Sequence, residues 1–198
     1  MSVAPDLLEA PLRRFMLDVA SEARGPAGGS VAAVVTALAA SLVAMAARSS
    51  RDCWSGAGGA IAQAEALAAR AAALAQADAE AYADATVALH LDRAALDSPT
   101  RDSLLASTLE RAADVPLAIA DVASDVALLA AETSEACDED VRPEALSACL
   151  LAEAAGRTAA HLVQINLGTA EGDPRLAAVR GIERALAEAR ERVDLQPR

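Results

Sequence analysis

The sequence predicts an all-α fold: an antiparallel bundle of six or seven helices in one domain spanning residues 1–198. Three observations predict it. Of the 198 residues, 55 are alanine and only Phe15, Trp54 and Tyr82 are aromatic. Alanine is the best helix former and a poor strand residue, which argues against a sandwich or barrel. Glycine and proline clusters divide the chain into long stretches whose apolar residues recur at spacings of three and four, the signature of a bundle helix. A hydrophobic fraction of 54% is ample for a core and excludes disorder.

The elements follow in order. Leu8, Leu12, Phe15 and Val19 predict a first helix over Asp6 to Ala23. Arg24-Gly25-Pro26-Ala27-Gly28-Gly29-Ser30 is a tight turn that ends in an N-capping serine. Val31, Val35, Leu38, Leu42 and Met45 form the seam of the second helix, which ends near Ser49. A loop containing Arg51-Asp52-Cys53-Trp54 leads to a third, very long helix from Ala60 to about His90. Ser98-Pro99 restarts the chain as helix, with proline in the first turn where its missing N–H costs nothing. Pro116 either begins a new helix capped by Asp114 or kinks one long helix. The acidic stretch Glu135 to Asp140 reads as a loop. Pro143 then opens a helix to about Leu167, and Asp173-Pro174 opens the last, to Val193, before a frayed tail.

Composition narrows the chemistry. A net charge of −12 disfavours non-specific binding to nucleic acid or anionic membranes. All 17 basic residues are arginine, so the sequence offers no Schiff-base lysine, lysine general base or Walker P-loop. His90 and His161 are far apart in sequence and build no zinc-ligand spacing with the cysteines. Cys53, Cys137 and Cys149 are odd in number and unpatterned, as expected of reduced thiols in a cytoplasmic protein. Asp6 and Glu9 fall where a signal peptide would carry basic residues. The longest apolar run, Val31 to Ala47, is interrupted by Thr36 and Ser41, and reads as a buried bundle helix ahead of a membrane segment.

Four places could carry function. The Gly28-Gly29-Ser30 turn puts backbone N–H groups beside the positive end of a helix dipole, a natural site for an anion or carbonyl; an ordinary interhelical turn has the same pattern. Asp78 and Tyr82, four residues apart, put a carboxylate and a phenol on one helix face, although a lone tyrosine among alanines is often a core filler. Glu153, Arg157, His161 and Gln164 make one polar stripe, either solvated or lining a cleft. Arg51 and Trp54 could clamp a flat heteroaromatic ligand, or Trp54 could plug the bundle end.

Three segments, in order and spacing, resemble the cyclodeaminase/cyclohydrolase family: the C-terminal half of formiminotransferase-cyclodeaminase and the stand-alone methenyltetrahydrofolate cyclohydrolases. Pro26-Ala27-Gly28-Gly29-Ser30-Val31-Ala32-Ala33 is similar to the family's Pro-Gly-Gly-Gly-Ser turn. Asp78-Ala79-Glu80-Ala81-Tyr82 is similar to its Asp-x-x-Ala-(Phe/Tyr). Val115-Pro116-Leu117, Leu150-Leu151-Ala152-Glu153-Ala154-Ala155 and Ile165-Asn166-Leu167 form the third match. The likeness runs from about Pro11 to Arg192.

The resemblance implies a helical homodimer joined helix to helix and a tetrahydrofolate substrate carrying a one-carbon unit at N5 and N10. It implies 5,10-methenyltetrahydrofolate cyclohydrolase or 5-formiminotetrahydrofolate cyclodeaminase activity, with no metal or redox cofactor. On this reading Asp78 and Glu144 are the catalytic acid/base candidates, and Gly28, Gly29, Ser30, Arg51, Tyr82 and Asn166 bind the substrate. The attached half that supplies formimino groups is missing from this sequence, which puts the cyclohydrolase ahead. The sequence departs from the pattern at four places. Ala27 replaces the first glycine of three, and Arg51-Asp52-Cys53-Trp54 replaces a Lys-Lys-Tyr-like stretch. Pro143-Glu144 replaces Ser-Asp, and Leu162 replaces an asparagine. These changes keep a second expectation open: a non-catalytic or re-purposed relative that binds a folate-like ligand or serves as a helical assembly subunit.

Overall fold

A computed structural model of the chain describes residues 7, 9–22, 26–89, 98–168 and 172–195. Among them every regular element is helical: α1 (Leu12–Val19), α2 (Gly28–Ser49), α3 (Ala57–Leu89), α4 (Ser98–Ala136), α5 (Arg142–Leu167) and α6 (Pro174–Asp194). One short 3₁₀ turn, Glu139–Val141, precedes α5. The all-α bundle read from alanine content and periodicity is thus the observed architecture, with six α-helices among the described residues.

Cross-helix pairs fix the directions. Arg48 meets Glu65 at one end of α2 and α3, and Ser30 meets Asp78 at the other. Arg70 pairs with Asp121 and Arg111 with Asp84, so α3 and α4 also run antiparallel. Arg142 Nε donates to the Ser134 carbonyl and Asn166 to the Ala112 carbonyl, which reverses α5 against α4. Arg175–Asp114 and Arg192–Glu135 make α6 parallel to α4. Each charged pair sits at the bundle's surface, where it sets register more than it stabilises.

The core is built of alanine, with Val43, Ile119, Val122, Val126, Val163, Val179 and Leu186 as its largest fully buried side chains. Small side chains let helix axes come close. Packing is tight at Gly156 on α5, where a Cβ would stand 2.9 Å from Leu186 Cδ1 and 3.2 Å from Ala123 Cβ. There α4, α5 and α6 meet with no room for a methyl group.

α2 is long and apolar enough to cross a bilayer. In the bundle it packs against α3, α4 and α5, and half of its residues, from Gly29 to Ala47, are buried. Its hydrophobicity is therefore that of a central bundle helix.

The element boundaries correct several expectations. α1 covers 12–19 and not the longer span from Asp6 to Ala23, whose ends lie outside the described residues. Pro11 explains the start, because the residue before a proline avoids the helical region. Ser21 explains the stop: its Oγ and N–H both donate to the Asp18 carbonyl, at 2.7 and 3.2 Å. α2 begins at Gly28 with Ala27 as N-cap, so Ser30 is its third residue and caps nothing. α3 starts three residues early, at Ala57, whose N–H is held by the Trp54 carbonyl at 3.1 Å. The two alternatives at Pro116 resolve into one uninterrupted helix. The expected limits at Arg24-Gly25, His90 and the tail beyond residue 195 lie outside the described residues.

Candidate active site

Gly28 opens α2, and the helix carries Gly29 and Ser30 in its first turn. Their N–H groups precede the first full helical hydrogen bond, which Val31 N–H makes to the Ala27 carbonyl at 3.0 Å. Against this turn comes Asp78, two-thirds of the way along α3. Its Oδ2 accepts a hydrogen bond from Ser30 Oγ at 2.9 Å, and the Ser30 backbone N–H donates to it as well.

Such an approach needs a glycine. A Cβ at residue 29 would stand 2.1 Å from Asp78 Oδ1, 2.5 Å from Cγ and 2.7 Å from Oδ2. The Asp78 carboxylate occupies the space where any other side chain would begin. Gly29 is thus fixed by close contact and not by an unusual backbone, since its φ lies outside the left-handed region. Gly28 is freer, with Leu162 Cδ1 3.9 Å from its would-be Cβ. Ala27 is extended, with φ −123° and ψ −159°, so the alanine that replaces the first glycine of three adopts its place without strain.

Asp78 is 7% exposed. Burial raises its pKa above the ordinary aspartate value; the Ser30 hydroxyl and then the Ser30 N–H pull it down, and the net direction is up. The positive end of the α2 dipole adds a further preference for the anion. A carboxylic acid so placed holds a proton longer than a solvated one, beside a hydroxyl that can pass it on.

A pocket of about 330 Å³ opens on this carboxylate. α2 and α3 contribute Gly28, Gly29, Asp78 and Tyr82 to its lining, and α4 and α5 contribute Ala112, Pro116, Leu162, Ile165 and Asn166. Asp78 is the one charged group among the described lining residues. Tyr82 lies one turn along α3 and is 47% exposed, so it is a wall of the pocket and not the core filler its setting also allowed.

The structure therefore brings together Gly28, Gly29, Ser30, Asp78, Tyr82 and Asn166. Arg51 and Glu144 stand apart from them. Both are exposed at the opposite end of the bundle, where Ser50 Oγ accepts from the Asp138 N–H at 2.9 Å beside the start of α5. From Glu144 to Leu162 the helix rises roughly 27 Å, at about 1.5 Å per residue. The expectation that Asp78 and Glu144 share one cleft fails within a single chain, because α5 runs the length of the bundle between them.

The remaining sequence candidates settle into structure. Glu153 is held between Arg157 Nε at 3.0 Å and Arg190 at 3.4 Å, and Gln164 reaches Glu183 at 3.5 Å. That stripe ties α5 to α6, and its His161 is exposed. Trp54 packs half-buried on the core at the bundle end, with Gly56 giving its indole room. Sequence reasoning missed Thr86 and the Ala112–Pro116 wall. The i, i+4 step from Asp78 to Tyr82 continues to Thr86, and would have found it. Nothing local marks Ala112.

The family profile described as formiminotransferase-cyclodeaminase matches residues 11–180. The chain belongs to the formiminotransferase-cyclodeaminase family. A crystal structure of formiminotetrahydrofolate cyclodeaminase from Thermotoga maritima is similar to it with a TM-score of 0.83, over 95% of this chain and 96% of that one. Sequence identity between the two is 24%, so this second likeness is one of fold. Comparison with curated proteins gives no match. The glycine turn, Asp78 and the Pro116 wall all fall inside the span matched by the formiminotransferase-cyclodeaminase profile.

Proposed function

We propose that the pocket binds a tetrahydrofolate derivative at its one-carbon unit and acts as a 5,10-methenyltetrahydrofolate cyclohydrolase or a 5-formiminotetrahydrofolate cyclodeaminase. The observation that carries this is the buried Asp78 carboxylate, hydrogen-bonded to Ser30, in a mostly apolar pocket of a formiminotransferase-cyclodeaminase family member. Both reactions pass through a tetrahedral carbon between two nitrogens. In the cyclodeaminase direction, N10 attacks the formimino carbon, a base takes the N10 proton, and an acid protonates the departing ammonia. In the cyclohydrolase direction, the base takes a proton from water, and the acid returns one to N5 as its bond to carbon breaks. One carboxyl group that alternates between base and acid serves either sequence, and a pKa raised by burial suits it to both halves.

The substrate carbon is cationic as an amidinium or a methenyl group, and Asp78 supplies the matching charge in a low-dielectric setting. Tyr82 at the rim offers a flat face for the pterin or aminobenzoyl ring. The volume of about 330 Å³ suits the pterin end, with the glutamate tail outside.

The protein works as a homodimer in this reading. Val31, Val35, Leu38, Leu42 and Met45 run the length of α2, with Leu38 57% exposed, and Leu150 and Leu151 on α5 are 40% and 41% exposed. A groove of about 510 Å³ lies between these helices. Two copies paired antiparallel across this stripe bury it, and set the Arg51 and Glu144 end of one against the glycine-turn end of the other. This is how Arg51 and Glu144 could serve the site. Mixing Asp78→Asn and Glu144→Gln variants tests it, since a shared site regains activity in the mixed dimer. No regain dismisses Glu144.

The deciding assay follows loss of the methenyltetrahydrofolate chromophore and release of ammonia from the formimino substrate with purified protein. Acceleration that Asp78→Asn abolishes supports the enzyme. The second reading is a ligand-binding relative without turnover, favoured by the distance of Glu144 from the pocket. Thermal stabilisation by folates with no acceleration establishes it instead.

A further inference from the structure

Pro116 sits inside α4, and in a helix the carbonyl four residues earlier waits for the N–H that proline lacks. That carbonyl belongs to Ala112. It is taken instead by Asn166, whose Nδ2 donates to it from the last turn of α5. A carbonyl oxygen can only accept, so the amide nitrogen must face it and the amide oxygen must face away. Ala112, Pro116 and Asn166 all line the pocket that Asp78 also lines. Among the described residues the Asn166 oxygen has no hydrogen bond of its own.

We infer that Asn166 is a specificity-determining residue whose orientation is set by Pro116. The proline opens the Ala112 carbonyl, the carbonyl fixes the amide nitrogen, and the amide oxygen is thereby presented to the pocket as an acceptor. The ligand group it takes is an N–H donor, held in the same pocket as the Asp78 carboxylate. A ligand with a carbonyl or carboxylate at that place sets acceptor against acceptor and is refused. The inference rests on the folate reading only for the identity of the ligand, since a reduced pterin ring carries N–H groups along its edge. The hydrogen bond between Asn166 and Ala112 stands without it.

The test is a cycle of Asn166→Leu, Pro116→Ala, the double variant, and Pro116→Ala with Asn166→Asp. Each protein is melted, and each is titrated calorimetrically with 5-formyltetrahydrofolate. In the native background Asn166→Leu lowers Tm, because the Ala112 carbonyl loses its donor. In the Pro116→Ala background the backbone itself supplies an N–H for that carbonyl, and Asn166→Leu no longer lowers Tm. Binding behaves differently. Within the Pro116→Ala background Asn166→Leu still weakens the folate by about tenfold, the loss of one hydrogen bond. Asn166→Asp, which can only accept, restores it.

Equal melting losses in the two backgrounds overturn the role of Pro116. Leucine that binds as well as asparagine in the Pro116→Ala background, or aspartate that binds as poorly as leucine, overturns the acceptor role. Wild-type protein that takes up no folate defeats the folate reading and the acceptor role with it, while the melting cycle still decides the Asn166–Ala112 link.

Discussion

Asp78 Oδ1 lies 2.1 Å from the point where a Cβ on Gly29 would stand, so these two residues share one volume that only glycine leaves free. The carboxylate thereby reaches the first turn of α2, and the Ser30 hydroxyl and N–H hold it there. Gly29→Ala must displace Asp78. It is expected to cost about 1–3 kcal/mol of stability, as overpacking does, and about a hundredfold in rate from misplacing the reacting group. Gly28→Ala meets only an ordinary contact and is expected to stay within about 0.5 kcal/mol of wild type. Denaturant titration and the chromophore assay on both variants check the pair, and equal behaviour of the two would refute it.

Asp78 also gives stability a definite pH dependence. Its pKa is raised above the ordinary 3.8, so the folded chain holds this proton more tightly than the unfolded chain. The linked stabilisation is complete below the unfolded value and is lost as pH climbs through the raised folded value. The stability of wild type relative to Asp78→Asn is therefore expected to fall as pH rises from about 4 toward neutrality. Melting curves of the two proteins across that range measure it. A difference that stays flat, or grows with pH, contradicts the raised carboxyl.

Ser30→Ala removes the hydroxyl that favours the Asp78 anion. The carboxyl pKa then moves further up, and the limb of the pH–rate profile that reports Asp78 shifts to higher pH. A variant that loses rate with an unmoved limb would show that Ser30 acts on something other than Asp78. Ser30→Thr, which keeps the hydroxyl, is expected to return the limb toward its wild-type position.

The three thiols differ in access. Cys53 is exposed, while Cys137 and Cys149 are buried, and burial pushes the Cys149 thiol up to about 11. A disulfide reagent at about pH 8 is expected to label Cys53 rapidly in the native protein and the other two only on denaturation. Rapid labelling of Cys149 would mean that α5 and α6 open far more readily than their alanine packing implies.

Much of this protein was legible in one dimension. Alanine content, the three-and-four spacing of apolar residues, and the prolines at 99, 143 and 174 determine helices, and place most of their ends within a few residues. Those signals are local: propensity, periodicity and caps act over one or two turns. The same holds for Asp78 and Tyr82, whose shared face follows from helix geometry alone.

Only the tertiary structure decided which distant residues meet. Glu144 carries the carboxylate that the sequence pattern called for, yet helix length sends it to the far end of the bundle. Ala27 breaks a glycine triplet without consequence, because the backbone there is extended. Gly29 is indispensable for a reason invisible in its own segment, the arrival of Asp78 from another helix. Asn166 finds its partner in a carbonyl that a proline on α4 left open. Side-chain type is written in the chain, but distance between helices is set by packing, and a site exists only where packing closes that distance.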